Sequence, residues 1–328
     1  MSHEARVALV TCATFPDLWD DDHPLRDALR ERGVIVEAVR WDDPDADWTR
    51  FDLTVLRSPW DYVARHDEFV AWARSVPRLA NPADIVAWNT DKTYLNDLAA
   101  AGIPIIPTTF VAPGDTWTAG DIGTAGGNGT AGGNGTAGGN GTAGDTETAG
   151  DTGTAPTAGD WVVKPTVSAG SKDTGRYTLP AQAALAEAHV ARLTDSGRTA
   201  MIQPYLAAVD TAGETAVLCT PDATGELTYS HAIRKGAMLR GPGEGAHEPG
   251  DETITARTPS PAELQVAERV LAAIPGGAKR LLYARVDLIP GPDGTPMLIE
   301  LELTEPSLFL LTAPDAAPRL AEAIISRL

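Results

Sequence analysis

Residues 281–303, LLYARVDLIPGPDGTPMLIELEL, set acidic side chains inside two apolar runs separated by a turn. Proline, aspartate and glycine cluster at 290–294, so the runs read as the strands of a β-hairpin. Strand side chains alternate between faces, so Glu300 and Glu302 point the same way. Folding back at the turn brings Asp287 opposite Glu300. Carboxylates this close repel, and burial makes each charge costlier. A hard divalent cation relieves both problems, because Mg²⁺ takes carboxylate oxygens and keeps substrate phosphates among its ligands. The competing reading is an edge strand that carries charge against aggregation. The flanks are too apolar for that, and the metal reading is preferred.

The chain around this hairpin has 328 residues, enough for two or three structural units, and its 43% hydrophobic content supports a full core. It carries 45 acids against 26 bases, a formal charge of −19, and shows no basic cluster. Nucleic acid and anionic membrane are therefore poor partners. Two cysteines, Cys12 and Cys219, allow neither a disulfide framework nor a zinc motif. No run approaches transmembrane length and the start has no basic leader, so a cytoplasmic protein is expected.

Toward the N-terminus, strands are expected at 6–11, 34–39 and 53–56, with helices at 24–32 and 67–75. Such alternation implies a parallel α/β layer whose ligands sit beyond the strand C-termini, at 12–22 and 57–65. No G-x-G-x-x-G follows the first strand. Residues 119–159 contain GTAGGN three times in tandem, at 123–128, 129–134 and 135–140. This polar tract buries too little apolar surface to offset its ordering entropy, so a disordered insertion is expected between strands at 109–111 and 161–164. Further strands are expected at 201–203, 215–219 and 228–233, and helices at 181–195, 260–274 and 315–327.

Several residues along this frame carry chemistry. Lys164 ends an apolar strand and needs an anionic partner. The small residues after it, Ser168, Ala169, Gly170 and Ser171, let backbone N–H groups approach a phosphate, although the order is not that of a Walker A loop. Asp91 or Thr90 is expected to cap the helix over 93–102, placing Lys92 in its first turn, where a cation opposes the helix dipole and hints at an anionic ligand. The segment Gln203, Pro204, Tyr205 and Leu206 breaks at its proline and can offer main-chain groups to a flat heterocycle, with Asp210 and Glu214 near enough for ribose hydroxyls. Arg234, Lys235 and Arg285 put cations near the acid face; the less favoured reading of Arg285 is a plain ion pair with Asp287. Arg57, Trp60 and Asp61 lie at a strand end and are read as substrate-facing.

In this order, Lys92, Lys164-Pro165, the small-residue loop, the 201–206 segment, Asp287 and Glu300-Leu301-Glu302 resemble the ATP-grasp superfamily. NPADIVAWNTDKTYL, VVKPTVSAGSKDTGRY, IQPYL, SHAIRKGAML, LLYARVDL and IELELTEPSLFL look like segments of its cycloserine-biosynthesis group, near glutathione synthetase and RimK-type ligases. The resemblance implies an α/β protein: a Rossmann-like domain at 1–88, then a two-subdomain α+β ATP-grasp fold at 89–203 and 204–328, the metal site in the last. It implies that Lys92 and Lys164 bind ATP phosphates, that Ser168, Gly170 and Ser171 cover them, and that Gln203 to Leu206 hold adenine, mostly through main chain. Asp287, Glu300 and Glu302 would hold Mg²⁺ or Mn²⁺, with Arg285 and Lys164 offsetting charge during reaction. Many members carry Glu-x-Asn where this chain has Glu-Leu-Glu, which leaves the third metal ligand open.

The implied activity is an ADP-forming ligase of antibiotic biosynthesis that activates a small-molecule carboxylate as an acyl phosphate for attack by nitrogen. O-ureido-D-serine is the substrate the resemblance suggests, and a homodimer the assembly. An intermolecular carboxylate–amine ligase, a phosphotransferase and a non-catalytic nucleotide-binding module are the alternatives.

Overall fold

The computed structural model describes residues 4–122, 158–237, 239 and 253–328. In the first part, β1 (Arg6–Thr11), α1 (His23–Glu31), β2 (Ile35–Arg40), β3 (Leu53–Ser58), α2 (His66–Ser75) and β4 (Leu79–Ala80) build a parallel sheet in the order β2-β1-β3-β4. β1 reads as a continuous apolar run because both its faces are covered. Two short helices follow, α3 (Ala83–Asn89) and α4 (Tyr94–Ala100).

A second, antiparallel sheet has the order β5-β8-β6-β7, from β5 (Thr109–Val111), β6 (Gly159–Pro165), β7 (Gly175–Leu179) and β8 (Ala200–Pro204). It packs on α5 (Ala183–Asp195) through Val163, Tyr177, Val190, Leu193 and Ile202. β7 was not anticipated, although its buried Gly175, Tyr177 and Leu179 alternate with more exposed neighbours. The expectation for 123–157 lies outside the described residues. The ends of that tract are built in: Thr118 and Asp121 form a capping box, and Ile122, 6% exposed, joins the core of this sheet.

After α6 (Ala208–Thr211), the third sheet runs β11-β10-β9-β12-β13, from β9 (Glu214–Pro221), β10 (Leu227–Lys235), β11 (Ile254–Ala256), β12 (Ala284–Pro290) and β13 (Pro296–Glu302). α7 (Pro261–Ala272) opens with Ser260 and Glu263 in a reciprocal cap and packs against β12 and β13. The last helix, α8 (Ala316–Ile325), returns to α1, and its Leu320 and Ile324 share a core with Val7 and Leu9 of β1.

β13 ends the hydrogen-bonding order of its sheet, against the expectation drawn from its apolar flanks. The apolar residues are tolerated because the free edge is covered. Leu298 N donates to Pro104 O at 2.7 Å, and Leu301 N donates to Tyr94 Oη at 2.8 Å. The Asn89 side chain donates to Leu301 O and accepts from Leu303 N, at 2.8 and 2.7 Å. The Asn81 amide likewise donates to Leu303 O at 2.6 Å and to Tyr283 O at 2.9 Å. These groups take the place of a missing neighbour strand and remove the exposed edge.

Candidate active site

In the β12–β13 hairpin, Asp287 pairs with Glu300 and Arg285 with Glu302. A bulge follows, because Leu288 pairs with Leu298 and leaves Ile299 as the extra residue. No glycine or proline marks it. Its effect is specific: Leu298, Leu301 and Leu303 all enter one core although 298 and 301 differ in parity, while Glu300 and Glu302 keep the opposite face. One ligand oxygen from each of Asp287, Glu300 and Glu302 lies within 4.8 Å of the others.

Cations surround these acids. Arg285 grips Asp287 with two hydrogen bonds of 2.9 Å and also donates to Glu302. Lys235 reaches Asp287 at 2.7 Å and Glu214 at 2.9 Å. Lys92 reaches Glu300 at 3.1 Å. Burial alone raises the Asp287 carboxyl, but Arg285 and Lys235 outweigh it and hold it below the usual range. Burial likewise acts on Glu300, where Lys92 and Lys164 prevail and lower it. For Glu302 burial prevails, helped by Glu300 and Asp287, and pushes the carboxyl up to about 8.

The hairpin forms one wall of a cavity of about 720 Å³, and Lys92, Lys164, Ser168, Gly170 and Ser171 line it. Lys92 precedes the cap of α4, which is Thr93, so it does not sit in the first turn as expected. Its main chain donates to Thr166 O at 3.0 Å, and its ammonium donates to Ser168 O at 2.9 Å. Lys164, unlike Lys92 and Lys235, makes no ion pair among the described residues. Burial lowers its pKa, while Glu300 acts against the shift. Gly170 and Ser171 both have left-handed backbones, φ +60° and +55°, in the loop joining β6 to β7. Such a run turns successive N–H groups toward a concave space.

Gln203, Pro204, Tyr205, Leu206 and Glu214 also line the cavity. The Gln203 side chain is turned to Thr108 Oγ1 at 2.8 Å. Tyr205 N already donates to Asp160 O at 2.7 Å, so its main-chain donor is not open to a heterocycle. Asp210 is not a lining residue; it accepts from Tyr205 Oη at 2.6 Å and lies 3.7 Å from Arg176.

The group read as substrate-facing divides. Trp60 lines the cavity. Arg57 does not: it is 0% exposed, donates to Asp22 Oδ1 at 2.8 Å and to Pro306 O at 2.7 Å, and so ties the first sheet to the segment after β13. Asp61 accepts from Trp41 Nε1 at 2.7 Å, also away from the cavity. Arg234 donates to Ala212 O and Thr211 O, while its neighbour Lys235 faces the acids. The strand alternation that separates Arg234 from Lys235 was available in the sequence.

A family model of the N-terminal domain of D-cycloserine synthetase DcsG matches residues 7–81. Over 331 residues the chain is 39% identical to the cycloserine biosynthesis protein DcsG of Streptomyces lavendulae, covering 98% of each sequence. The chain belongs to the DcsG family of ATP-grasp ligases. Its fold superposes on a crystal structure of D-cycloserine synthetase DcsG with a TM-score of 0.80 at 38% identity, covering 98% of this chain and 99% of that one. A RimK domain ATP-grasp protein from Sphaerobacter thermophilus shares the fold at TM-score 0.59 and 14% identity, covering 97% of this chain and 99% of that one. D-alanyl-alanine synthetase A from Vibrio cholerae shares it at 0.63 and 13%, covering 100% and 98%.

In this DcsG-family chain the segments 12–22 and 57–65, expected to face ligands, do reach the cavity, through Trp60 and through residues not singled out in the sequence. Trp19, Asp21 and Tyr62 line it, and so does Glu305. Trp19 and Trp60 meet edge to face, 5.9 Å between centroids. Glu305 hydrogen-bonds Tyr62, and burial pushes its carboxyl up to about 7. Asp21 stands in an Asp-Asp-Asp run that looks in sequence like a solvated loop. Among the described residues, no helix is long and apolar enough to cross a membrane.

Proposed function

We propose that this ligase closes a ring within one small molecule, using ATP to activate the carboxylate of O-ureido-D-serine and forming cycloserine. The observation that carries this reading is the 39% identity to a cycloserine biosynthesis protein along nearly the whole chain. The substrate carboxylate attacks the γ-phosphate, ADP leaves, and an acyl phosphate forms. The nitrogen on the side-chain oxygen then attacks the acyl carbon and phosphate departs. Water then removes the carbamoyl group from the ring nitrogen as carbon dioxide and ammonia, which balances O-ureido-D-serine against cycloserine.

The cavity supports the roles this needs. Lys164, half-buried and without an ion-pair partner among the described residues, is suited to a phosphate oxygen. Gly170 and Ser171, both left-handed in backbone, line the same cavity and would offer backbone donors to phosphate. Hard oxygen donors on Asp287, Glu300 and Glu302, close enough together to share one ion, suit a hard divalent cation. Those residues would hold Mg²⁺ (or Mn²⁺), which neutralises phosphate charge when bound. Arg285 keeps Asp287 and Glu302 in place. Val162, Ile106 and Val209 wall the same cavity where Gln203 to Leu206 pass, giving apolar surface for an adenine ring.

The test is Mg²⁺-dependent release of ADP and phosphate with O-ureido-D-serine as sole substrate, with product mass measured in parallel. ADP together with a product of cycloserine mass is expected. ADP release that needs a second, separate amine would replace ring closure with intermolecular ligation.

A further inference from the structure

The acids in the cavity wall and behind it differ in how they are satisfied. Asp20 lines the cavity too, but its side chain is 83% exposed to solvent and lies 3.8 Å from the His23 ring. Asp287 has Arg285 and Lys235, Glu300 has Lys92, Glu302 has Arg285 and Glu214 has Lys235. Glu305 has Tyr62. Asp21 stands apart. It is 7% exposed, and its Oδ1 accepts from Leu311 N at 3.0 Å. Its Oδ2 is buried with no hydrogen-bond partner among the described residues. The neighbouring groups do not supply one. Arg57 is committed to Asp22, and His231 is engaged with Leu308 O at 2.8 Å and Ser230 Oγ at 3.0 Å. A buried carboxylate oxygen without a donor is costly and rare in native proteins.

We propose that Asp21 receives the protonated amino group of the small-molecule substrate. This rests on the reading that the substrate is an amino acid activated at its carboxylate. Such a molecule carries opposite charges a few bonds apart. Its carboxylate belongs near Lys164 and Arg285, where the phosphate is transferred. The same cations repel its ammonium group, which needs an anion elsewhere in the cavity. The acids of β12 and β13 already face cations. Asp21 comes from the first sheet's loops, and the edge-to-face rings of Trp19 and Trp60 wall the same cavity. Aromatic walls exclude water and strengthen a charge pair between ligand and carboxylate. A ligand without the amino group leaves Asp21 as it is now, buried and short of a donor, so the site selects for amino acids over their desamino counterparts.

The experiment compares kcat/KM for O-ureido-D-serine and its desamino analogue, 3-(ureidooxy)propanoate, in the unsubstituted enzyme and in Asp21→Asn. The unsubstituted enzyme should prefer the amino substrate by roughly 10- to 100-fold. In Asp21→Asn the preference should shrink to about threefold or less, with KM for ATP unchanged, because Asn keeps the acceptor for Leu311 N but not the charge. An undiminished preference in Asp21→Asn overturns the assignment. If that variant does not fold, the unsubstituted enzyme still decides, because equal use of both substrates also overturns it. If the unsubstituted enzyme does not act on O-ureido-D-serine at all, the proposed function fails first, and the role of Asp21 falls with it.

Discussion

Arg285 and Asp287 stand two residues apart on one face of β12 and meet as a fork, Nε to Oδ1 and Nη2 to Oδ2, each at 2.9 Å. The pair is fully enclosed, with Asp287 at 0% exposure. Breaking an enclosed pair from one side leaves a buried charge uncompensated. Asp287→Asn should therefore destabilise the fold by about 3 kcal/mol, read from urea unfolding. A loss under about 1 kcal/mol would show that Glu302 and Glu214 suffice for Arg285 and Lys235.

Glu300→Gln is expected to behave differently. Lys92 keeps its bond to Ser168 O, so folding should survive while Mg²⁺-dependent ADP release drops at least roughly 100-fold. Turnover retained with the same metal dependence would take Glu300 out of the site.

Lys164 is half-buried without an ion-pair partner among the described residues, and desolvation disfavours its charged form. Lys164→Met should leave the nucleotide-free protein as stable as before, or more so. Ligand at a hundred times its dissociation constant adds about 2.7 kcal/mol of stability, and this gain should largely vanish in the variant. A thermal shift by Mg-ATP as large in Lys164→Met as in the unsubstituted protein would remove the lysine from phosphate binding.

The polar tract can be cut only inside its ends. Replacing 124–156 with a short Gly-Ser linker should preserve ATP hydrolysis and melting temperature. Deleting 119–159 should lower the melting temperature, because it removes Ile122 from a core and Gly159 from β6. Equal melting temperatures for the two deletions would show that Ile122 contributes nothing.

His189 shares a 2.7 Å hydrogen bond with Tyr177, and burial pushes its imidazole down to about 4. In the unfolded chain it titrates near 6.5, so the unfolded state binds more protons between those values. Its contribution is fully present above pH 6.5 and declines as the pH falls toward 4, by at most on the order of 2 kcal/mol after solvent screening. The urea midpoint of His189→Gln should depend less on pH across that window. Parallel curves for both proteins would assign the acid sensitivity to other groups.

The hairpin was legible because its signals are local. A Pro-Gly-Pro-Asp-Gly turn sets the fold-back, and alternation sets the faces of Glu300 and Glu302. The cover over β13 was not, since Asn81, Asn89 and Tyr94 precede it by about two hundred residues and look like ordinary helix-flanking residues. Arg57 misled for the same reason: a cation at a strand end looks like a ligand group until Asp22 is seen beside it. Asp21 was missed because the feature that distinguishes it, an oxygen left without a donor, exists only after folding. The bulge at Ile299 also escaped, because no glycine or proline marks it.

Lys92 belongs to both halves of the cleft. Its main chain is tied to Thr166 and its ammonium to Ser168, both following β6, while the same ammonium holds Glu300 on β13. Lys164 lies on β6 alone. If the two sheets part, the gap from Lys164 to the acids widens freely, whereas Lys92 must give up one set of bonds or remain the fulcrum. The two lysines are therefore unequal: one is tied to both sheets, and the other rides on a single strand.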